Sequence, residues 1–205
     1  MKKAWLISFN VVTLLAWTLF LLHTGQNGFQ FDSQGMMILA VAQGLAIFEV
    51  INSIFRLAGA NWMLTTMQVS SRFLVVGLLW WMPLELVAEL GVYSGFLMIT
   101  IAWSITEITR VAFYISGLFG KEIKALLWMR YTFFIVLYPI GVIGEFMAMF
   151  SFMEWRHFNF DAIGIGLVVI ALLYVVFFPK LYMHMFGQRR KNSIKLLPRA
   201  DSGYR

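Results

Sequence analysis

Six apolar runs, each long enough to cross a bilayer as an α-helix, constrain the fold of this chain more than any motif. They cover residues 4–22, 36–57, 62–82, 91–119, 127–152 and 162–178, and we expect Pro179 to close the last of them. Only 13% of the 205 residues are charged and 60% are hydrophobic, whereas about a quarter of a soluble domain is charged. The short alternating strands of a membrane β-barrel do not occur in the sequence. We therefore predict an all-α membrane protein, with six transmembrane helices in one domain over residues 1–205.

The distribution of basic residues predicts the orientation of these spans, because cytosolic loops carry an excess of lysine and arginine. If the N-terminus is cytosolic, Arg156 is the one basic residue in the three opposite loops. The cytosolic side then holds Lys2, Lys3, Arg56, Arg72, Lys121, Lys124, Arg130 and the basic tail 180–205. We predict that both termini are cytosolic.

Composition also excludes several function classes. The net charge of +6 suits the basic edges of a membrane protein, and we do not expect nucleic-acid binding. The absence of cysteine excludes disulfides, thiolate metal sites and cysteine nucleophiles. His23, His157 and His184 are far apart and near span ends. We therefore expect no metal site, and we expect no cofactor.

Charged residues inside the predicted spans are candidates for function, because a bilayer disfavours them unless they face the protein interior. Glu49 and Arg72 belong to spans two and three, and Glu107 and Arg110 to span four. Glu107 and Arg110 are three residues apart and can pair along the helix. Arg110 has a second interpretation, in which it holds a substrate carbonyl or orients Glu145. An interior this polar indicates either a passage for ions or solutes, or a reaction chamber open to the cytosol.

The stretch LYPIGVIGE in span five has the most suggestive spacing. Tyr138, Gly141 and Glu145 follow at i, i+3 and i+7, so one helix face presents a phenol, a gap and a carboxyl group over about 10 Å. Pro139 removes a backbone donor beside Tyr138. A phenol and a carboxyl group in an apolar pocket suit general acid–base catalysis, with nearby arginines to stabilise negative charge. Proton abstraction with loss of a β-hydroxyl, isomerisation and simple lipid binding all stay open on this chemistry.

The run WMRYTFFIVLYPIGVIGE, residues 128–145, resembles the 3-hydroxyacyl-CoA dehydratase family of very-long-chain fatty acid elongation. Further stretches agree in order, so the resemblance covers nearly the whole chain: FEVINSIFRLAG, MQVSSR, WSITEITRVAFY and FPKLYMHMFGQRRK. The family is also called protein tyrosine phosphatase-like, although this chain lacks the cysteine such a phosphatase needs. One departure is Phe9 before Asn10, where the family motif has tyrosine.

The resemblance implies a six-span hydro-lyase of the endoplasmic reticulum membrane, or of the inner membrane if the source is bacterial. It would dehydrate a 3-hydroxyacyl-CoA to the trans-2-enoyl-CoA in the third step of each elongation cycle. Tyr138 and Glu145 match the family's catalytic pair. We expect Glu145 to take the C2 proton and Tyr138 to assist departure of the 3-hydroxyl, with the reverse assignment open.

Other residues match supporting positions of the family, namely Gly141, Arg72, Arg110 and Arg130, and we add Glu107 as the neighbour of Arg110. We expect Gly141 to leave room for the acyl chain. A basic edge of Arg72, Lys121, Lys124 and Arg130 would attract the CoA phosphates.

The partners that the resemblance implies are membrane lipid, the elongase condensing enzyme, the 3-ketoacyl-CoA reductase and the enoyl-CoA reductase. The alternative function is a catalytically silent membrane scaffold of a lipid-synthesis complex.

Overall fold

Helices account for all the regular structure of the described chain. The computed structural model describes residues 2–30, 32–57, 62–83, 92–121 and 123–193. Within these ranges there are eight helices and no strand: α1 (Lys2–Gln26), α2 (Ser33–Gly44), α3 (Ala46–Ile54), α4 (Trp62–Trp81), α5 (Val92–Leu118), α6 (Lys124–Arg130), α7 (Phe134–Trp155) and α8 (Ala162–Ser193).

Six stretches of these helices are long and apolar enough to cross a membrane. They are Lys2–Gln26, Ser33–Ile54, Trp62–Trp81, Gly95–Leu118, Phe134–Trp155 and Ala162–Arg190. Many large apolar side chains point outward, such as Leu15, Val41 and Val175. Such a surface suits contact with lipid, since lipid tails are as apolar as these side chains. The prediction of an all-α fold with six candidate spans is therefore confirmed.

The centre of the bundle is the crossing of α5 and α7, which two glycines make close. A Cβ added to Gly144 would lie 2.8 Å from the carbonyl oxygen of Gly95, and one added to Gly95 would lie 2.9 Å from the Cβ of Met147. Small residues at such a crossing let helix backbones approach closely. The other helices pack around this pair, with α1 on α5 and with α4 and α8 on α7.

Aromatic side chains fill the contact between α1 and α5. Trp17 and Phe20 are almost fully buried, and their rings meet edge to face with centroids 6.0 Å apart. Phe20 makes a second edge-to-face contact with Phe96 of α5, at 6.2 Å. Such pairs add stability beyond the area they bury. These rings belong to a core that also includes buried side chains of α2, α4 and α7, the helix that carries Tyr138 and Glu145.

The helix boundaries differ from the predicted spans in three places. Span two is two helices that meet at Leu45, and span five is the short α6 followed by α7. The prediction that Pro179 closes the last span is wrong, because α8 continues through it to Ser193. A proline inside a helix removes one backbone hydrogen bond, and ring stacking between Phe178 and Tyr182 bridges the next turn. Residue 91 and the tail beyond residue 193 lie outside the described residues.

Candidate active site

Glu145 is a buried carboxylate in the middle of α7, with both oxygens hydrogen-bonded. It is 7% exposed. The indole Nε1 of Trp103 on α5 donates to Oε1 at 3.1 Å, and the hydroxyl of Tyr174 on α8 donates to Oε2 at 2.6 Å. A buried carboxylate is disfavoured unless it has such partners. Donors from two other helices therefore fix the position and orientation of this group.

Tyr174 is a site residue that the sequence reasoning missed. It is half-buried in α8, and its ring meets Phe146 edge to face at 5.6 Å. Ser71 of α4 lies near enough to interact electrostatically with the Tyr174 hydroxyl, while its own hydroxyl donates to the Gln68 carbonyl. The one sequence signal was a lone phenol within the apolar run ALLYVVFF. Tyr174 thus joins α8 to α7 at Glu145.

Tyr138 lies two helical turns before Glu145, roughly 10 Å along α7. Its ring stacks on Phe178 of α8, with centroids 5.1 Å apart and 10° between the planes, and also on Tyr182 at 6.0 Å. In the described ranges the Tyr138 hydroxyl has no hydrogen-bond partner. Tyr138 and Glu145 contact Phe178 and Tyr174 respectively, which are four residues apart on α8. Both side chains therefore approach the same helix, and they interact electrostatically.

Pro139 leaves one carbonyl of α7 without its usual partner, and α8 supplies a replacement. A proline has no N–H, so the carbonyl four residues earlier, that of Ile135, loses its helical hydrogen bond. The hydroxyl of Tyr182 donates to this oxygen at 2.8 Å. The Tyr182 hydroxyl of α8 therefore replaces the hydrogen bond that Pro139 removes, one turn before Tyr138. The helix α7 continues through Pro139 without a break.

Gly141 does not open a gap between Tyr138 and Glu145, contrary to the expectation that it makes room for an acyl chain. A Cβ added there would lie 3.4 Å from the Cβ of Ala102 and 3.8 Å from Nε1 of Trp103. The space beside the glycine is therefore occupied by α5. Gly141 lets the indole of Trp103 approach α7, one turn from the carboxylate to which it donates.

The charged residues of α3, α4 and α5 form a paired network beside this site. Glu107 is 5% exposed and accepts from Arg72 and from Arg110, which also binds Glu49. The predicted pair between Glu107 and Arg110 is thus present, and this supports the structural interpretation of both. Whether Arg110 holds a substrate carbonyl stays a prediction.

Arg72 connects this network to the carboxylate through Trp103. Its guanidinium lies over the Trp103 ring, 5.3 Å from the centroid, an arrangement that attracts the cation to the ring. The same indole donates to Glu145. Arg72 therefore places a positive charge against Trp103, the residue that orients the Glu145 carboxylate. Arg72 also interacts electrostatically with Glu145 itself.

Arg130, at the end of α6, belongs to a separate aromatic cluster. It donates to the Tyr114 hydroxyl at 3.1 Å, and its guanidinium lies 4.6 Å from the Tyr114 ring centroid and 4.9 Å from that of Phe113. Its Nη1 is buried without a hydrogen-bond partner among the described residues. The structure therefore places Arg130 in this aromatic cluster and not beside Glu145.

The fold and site define a polytopic helical membrane protein with an acidic group held in its interior. In the part of the chain that the structure describes, no three His, Asp or Glu side chains converge as metal ligands would. The family model described as "Protein tyrosine phosphatase-like protein, PTPLA" matches residues 43–195, which is well over half of the chain. The chain belongs to this family.

Curated relatives match almost the whole chain. The Caenorhabditis elegans very-long-chain (3R)-3-hydroxyacyl-CoA dehydratase hpo-8 is 33% identical, over 92% of this chain and 94% of its own length. The human very-long-chain (3R)-3-hydroxyacyl-CoA dehydratase 2 is 29% identical, over 93% and 81%. A probable dehydratase of the same name from Schizosaccharomyces pombe is 34% identical, over 94% of both chains. No solved structure is significantly similar to this chain.

Proposed function

We propose that this chain is a very-long-chain (3R)-3-hydroxyacyl-CoA dehydratase, a hydro-lyase that forms trans-2-enoyl-CoA, with Glu145 and Tyr138 as its acid–base pair. The observation that carries the proposal is the buried Glu145 carboxylate, which Trp103 and Tyr174 orient from two different helices. The names of the similar proteins support the reaction class. The spacing and surroundings of Tyr138 and Glu145 support their roles.

In the proposed reaction, Glu145 takes a proton from C2 of the substrate. The electron pair of that C–H bond forms the C2=C3 double bond, and the C3–O bond breaks. The leaving oxygen takes a proton from the Tyr138 hydroxyl and departs as water. Transfer of the proton from Glu145 to the Tyr138 phenolate then restores the starting state. The absence of a protein partner on the Tyr138 hydroxyl, in the described ranges, suits a group that meets the substrate directly.

The neighbours of Glu145 support this chemistry without reacting. Trp103 and Tyr174 each occupy one carboxylate oxygen, so the carboxylate is held in one geometry before the substrate arrives. Negative charge develops on the thioester oxygen as the C2 proton leaves, and a fixed positive charge nearby stabilises it. Arg72 supplies such a charge beside Trp103.

The membrane arrangement that we propose places both termini and the CoA moiety in the cytosol, with the chain in the endoplasmic reticulum membrane. Lys121, Lys124 and Arg130 lie around α6, and Arg189 and Arg190 near the end of α8. These cations would attract the CoA phosphates. The condensing enzyme and the two reductases of the elongation cycle are the proposed partners, because the 3-ketoacyl-CoA reductase makes the substrate of this step, the enoyl-CoA reductase consumes its product, and the condensing enzyme begins the cycle.

The proposal is tested by incubating the purified protein in lipid nanodiscs with long-chain 3-hydroxyacyl-CoA and detecting the enoyl product by mass spectrometry. Wild type should turn over. Tyr138→Phe and Glu145→Gln should each be at least about a hundredfold slower, the range for loss of an acid–base group. Circular dichroism and size exclusion confirm that all three proteins are folded. A folded wild type without turnover would overturn the dehydratase proposal and favour the scaffold.

A further inference from the structure

An apolar groove between α4 and α8 has no role in the chemistry above. Its volume is about 410 Å³, and every residue that lines it is apolar or glycine, including Leu74, Gly77, Trp81, Gly166 and Ile170. A Cβ added to Gly77 or to Gly166 would meet nothing within 4 Å, so both glycines border open space. The groove runs about 12 Å along α4, the rise over the eight steps from Phe73 to Trp81.

The groove is continuous with the candidate active site along both helices. On α8, Ile170 lies four residues before Tyr174, whose hydroxyl donates to Glu145. On α4, Leu74 lies three residues after Ser71, which interacts electrostatically with Tyr174. Residues three or four apart share a helix face. The groove therefore begins one helical turn along α8 from Tyr174, the residue that binds Glu145.

One row of α8 residues links the groove to the whole site. The row steps by four through Gly166, Ile170, Tyr174, Phe178 and Tyr182, as a ridge on a helix surface does. Its first two members line the groove, the third binds Glu145 and the last two stack on Tyr138. The basic end of α8 follows. An acyl-CoA could extend along this row, with its charged end at the basic residues and its reactive carbons between Tyr138 and Glu145.

We propose that the α4–α8 groove binds the acyl chain of the substrate, and that the open space at Gly77 and Gly166 sets the chain length accepted. This proposal rests on the proposed function, since it names where part of that substrate lies. The occupant is an alkyl chain because the lining is almost entirely apolar, and burial of each methylene in such a groove is favourable. A larger side chain at either glycine would fill the space that the far end of the acyl chain would otherwise occupy.

The first test compares kcat/KM for 3-hydroxyacyl-CoA substrates of increasing chain length. Gly77→Leu and Gly166→Leu should lower the ratio of long-chain to short-chain kcat/KM by about tenfold or more, the size of effect that a filled apolar pocket produces. Gly117→Leu is the matched control. Gly117 is another helical glycine with open space around it, but it lies outside this groove. An unchanged ratio in both groove variants would overturn the proposal.

The second test does not depend on turnover. A 3-hydroxyacyl-CoA carrying a photoreactive diazirine on its last carbon is cross-linked to the wild type, and the labelled peptides are identified. Labelling of residues 77–81 and 162–166, competed by unlabelled 3-hydroxyacyl-CoA but not by free fatty acid, is the expected result. Labelling of a second apolar groove, lined by Leu14, Ile115 and Lys121, would overturn it. Equal labelling by a diazirine phospholipid would mean that the groove holds bulk lipid only.

These two readouts separate the failure of one proposal from the failure of the other. If the wild type dehydrates no substrate but the probe labels the α4–α8 groove, the acyl site stands and the dehydratase function fails. If turnover is normal, but the groove variants keep the wild-type chain-length ratio and the probe labels residues outside the groove, the acyl site fails and the function stands.

Discussion

Each donor to Glu145 comes from a residue whose own position is fixed by packing. Trp103 lies against Gly141 and below the Arg72 guanidinium, and Tyr174 lies against Phe146. A hydrogen bond to a charged group contributes about 1.5–3 kcal/mol. These two bonds therefore favour one orientation of the carboxylate strongly enough to matter for catalysis.

Tyr174→Phe tests the contribution of one of these donors. It removes the hydroxyl 2.6 Å from Glu145 and keeps the ring. We expect kcat to fall by about ten- to a hundredfold, the rate equivalent of that hydrogen bond, with KM little changed. Steady-state kinetics on the purified variant gives both values.

The matched control for Tyr174→Phe is Tyr182→Phe, on the same helix. Tyr182→Phe keeps the ring that stacks on Tyr138 and removes only a bond to the Ile135 carbonyl, so it should lower the melting temperature and should lower kcat by less than Tyr174→Phe does. Equal losses of kcat in the two variants would mean that packing of α8, and not the bond to Glu145, is what matters.

At the scale of the elements, the crossing of α5 and α7 holds Trp103 against the carboxylate. Gly144→Ala places a Cβ 2.8 Å from the Gly95 carbonyl oxygen, a backbone atom that cannot move aside alone. We expect the free energy of unfolding to fall by about 1–3 kcal/mol, as for other overpacked sites. Gly141→Ala makes only a 3.4 Å contact and should change this free energy by less than about 1 kcal/mol. Denaturation in detergent measures the free energy of unfolding of both variants. An equal loss in Gly144→Ala and Gly141→Ala would contradict this packing.

The connection between α7 and α8 gives a second prediction at this scale. Asp161 accepts hydrogen bonds from Arg156 and from the backbone of Gly164 and Ile163, and these lower its pKa from 3.8 to about 2. Since the folded state binds this proton less readily than the unfolded state, the bonds stabilise the protein fully above about pH 4. That stability is lost as the pH falls from about 4 through 2.

Asp161→Asn provides the measurement. The difference in melting temperature between wild type and variant should be constant from neutral pH to about pH 5, and should shrink towards about pH 2. A difference that does not change with pH would show that the Asp161 charge does not contribute.

The helices and the local pair between Glu107 and Arg110 could be predicted from the sequence, whereas the contacts of Glu145 with other helices could not. Long apolar runs give the six candidate spans directly, because a bilayer-spanning helix is defined by length and apolarity. The sequence predicts a helix end at Pro179 because it does not show that Phe178 and Tyr182, on either side of it, stack on Tyr138 of α7. The bond from Tyr174 to Glu145 joins residues 29 apart in different helices, and only packing reveals it. Gly141 was identified, but its role depends on what α5 places beside it.

At the scale of the whole molecule, the proposed order along the bundle is groove, carboxylate, phenol and basic end. This order requires that Lys121, near α6, and Asn159, between α7 and α8, lie on opposite sides of the membrane. The chain contains no cysteine, so the reactivity of a single introduced cysteine shows on which side of the membrane that residue lies.

In sealed microsomes, Lys121→Cys should react with an impermeant maleimide, and Asn159→Cys should react only after the membrane is permeabilised. Both residues are exposed. Reaction of both from the outside, or the reverse pattern, would contradict the proposed topology.

The central claim, that Glu145 moves the C2 proton, is tested most directly by running the reaction backwards in heavy water. Hydration of trans-2-enoyl-CoA by the wild type should give 3-hydroxyacyl-CoA with a single deuterium at C2, read by mass spectrometry. Glu145→Gln, folded and at equal concentration, should incorporate deuterium at least about a hundredfold more slowly. Incorporation at the wild-type rate in that variant would mean that another group carries the proton, and would contradict the role of Glu145 as the base.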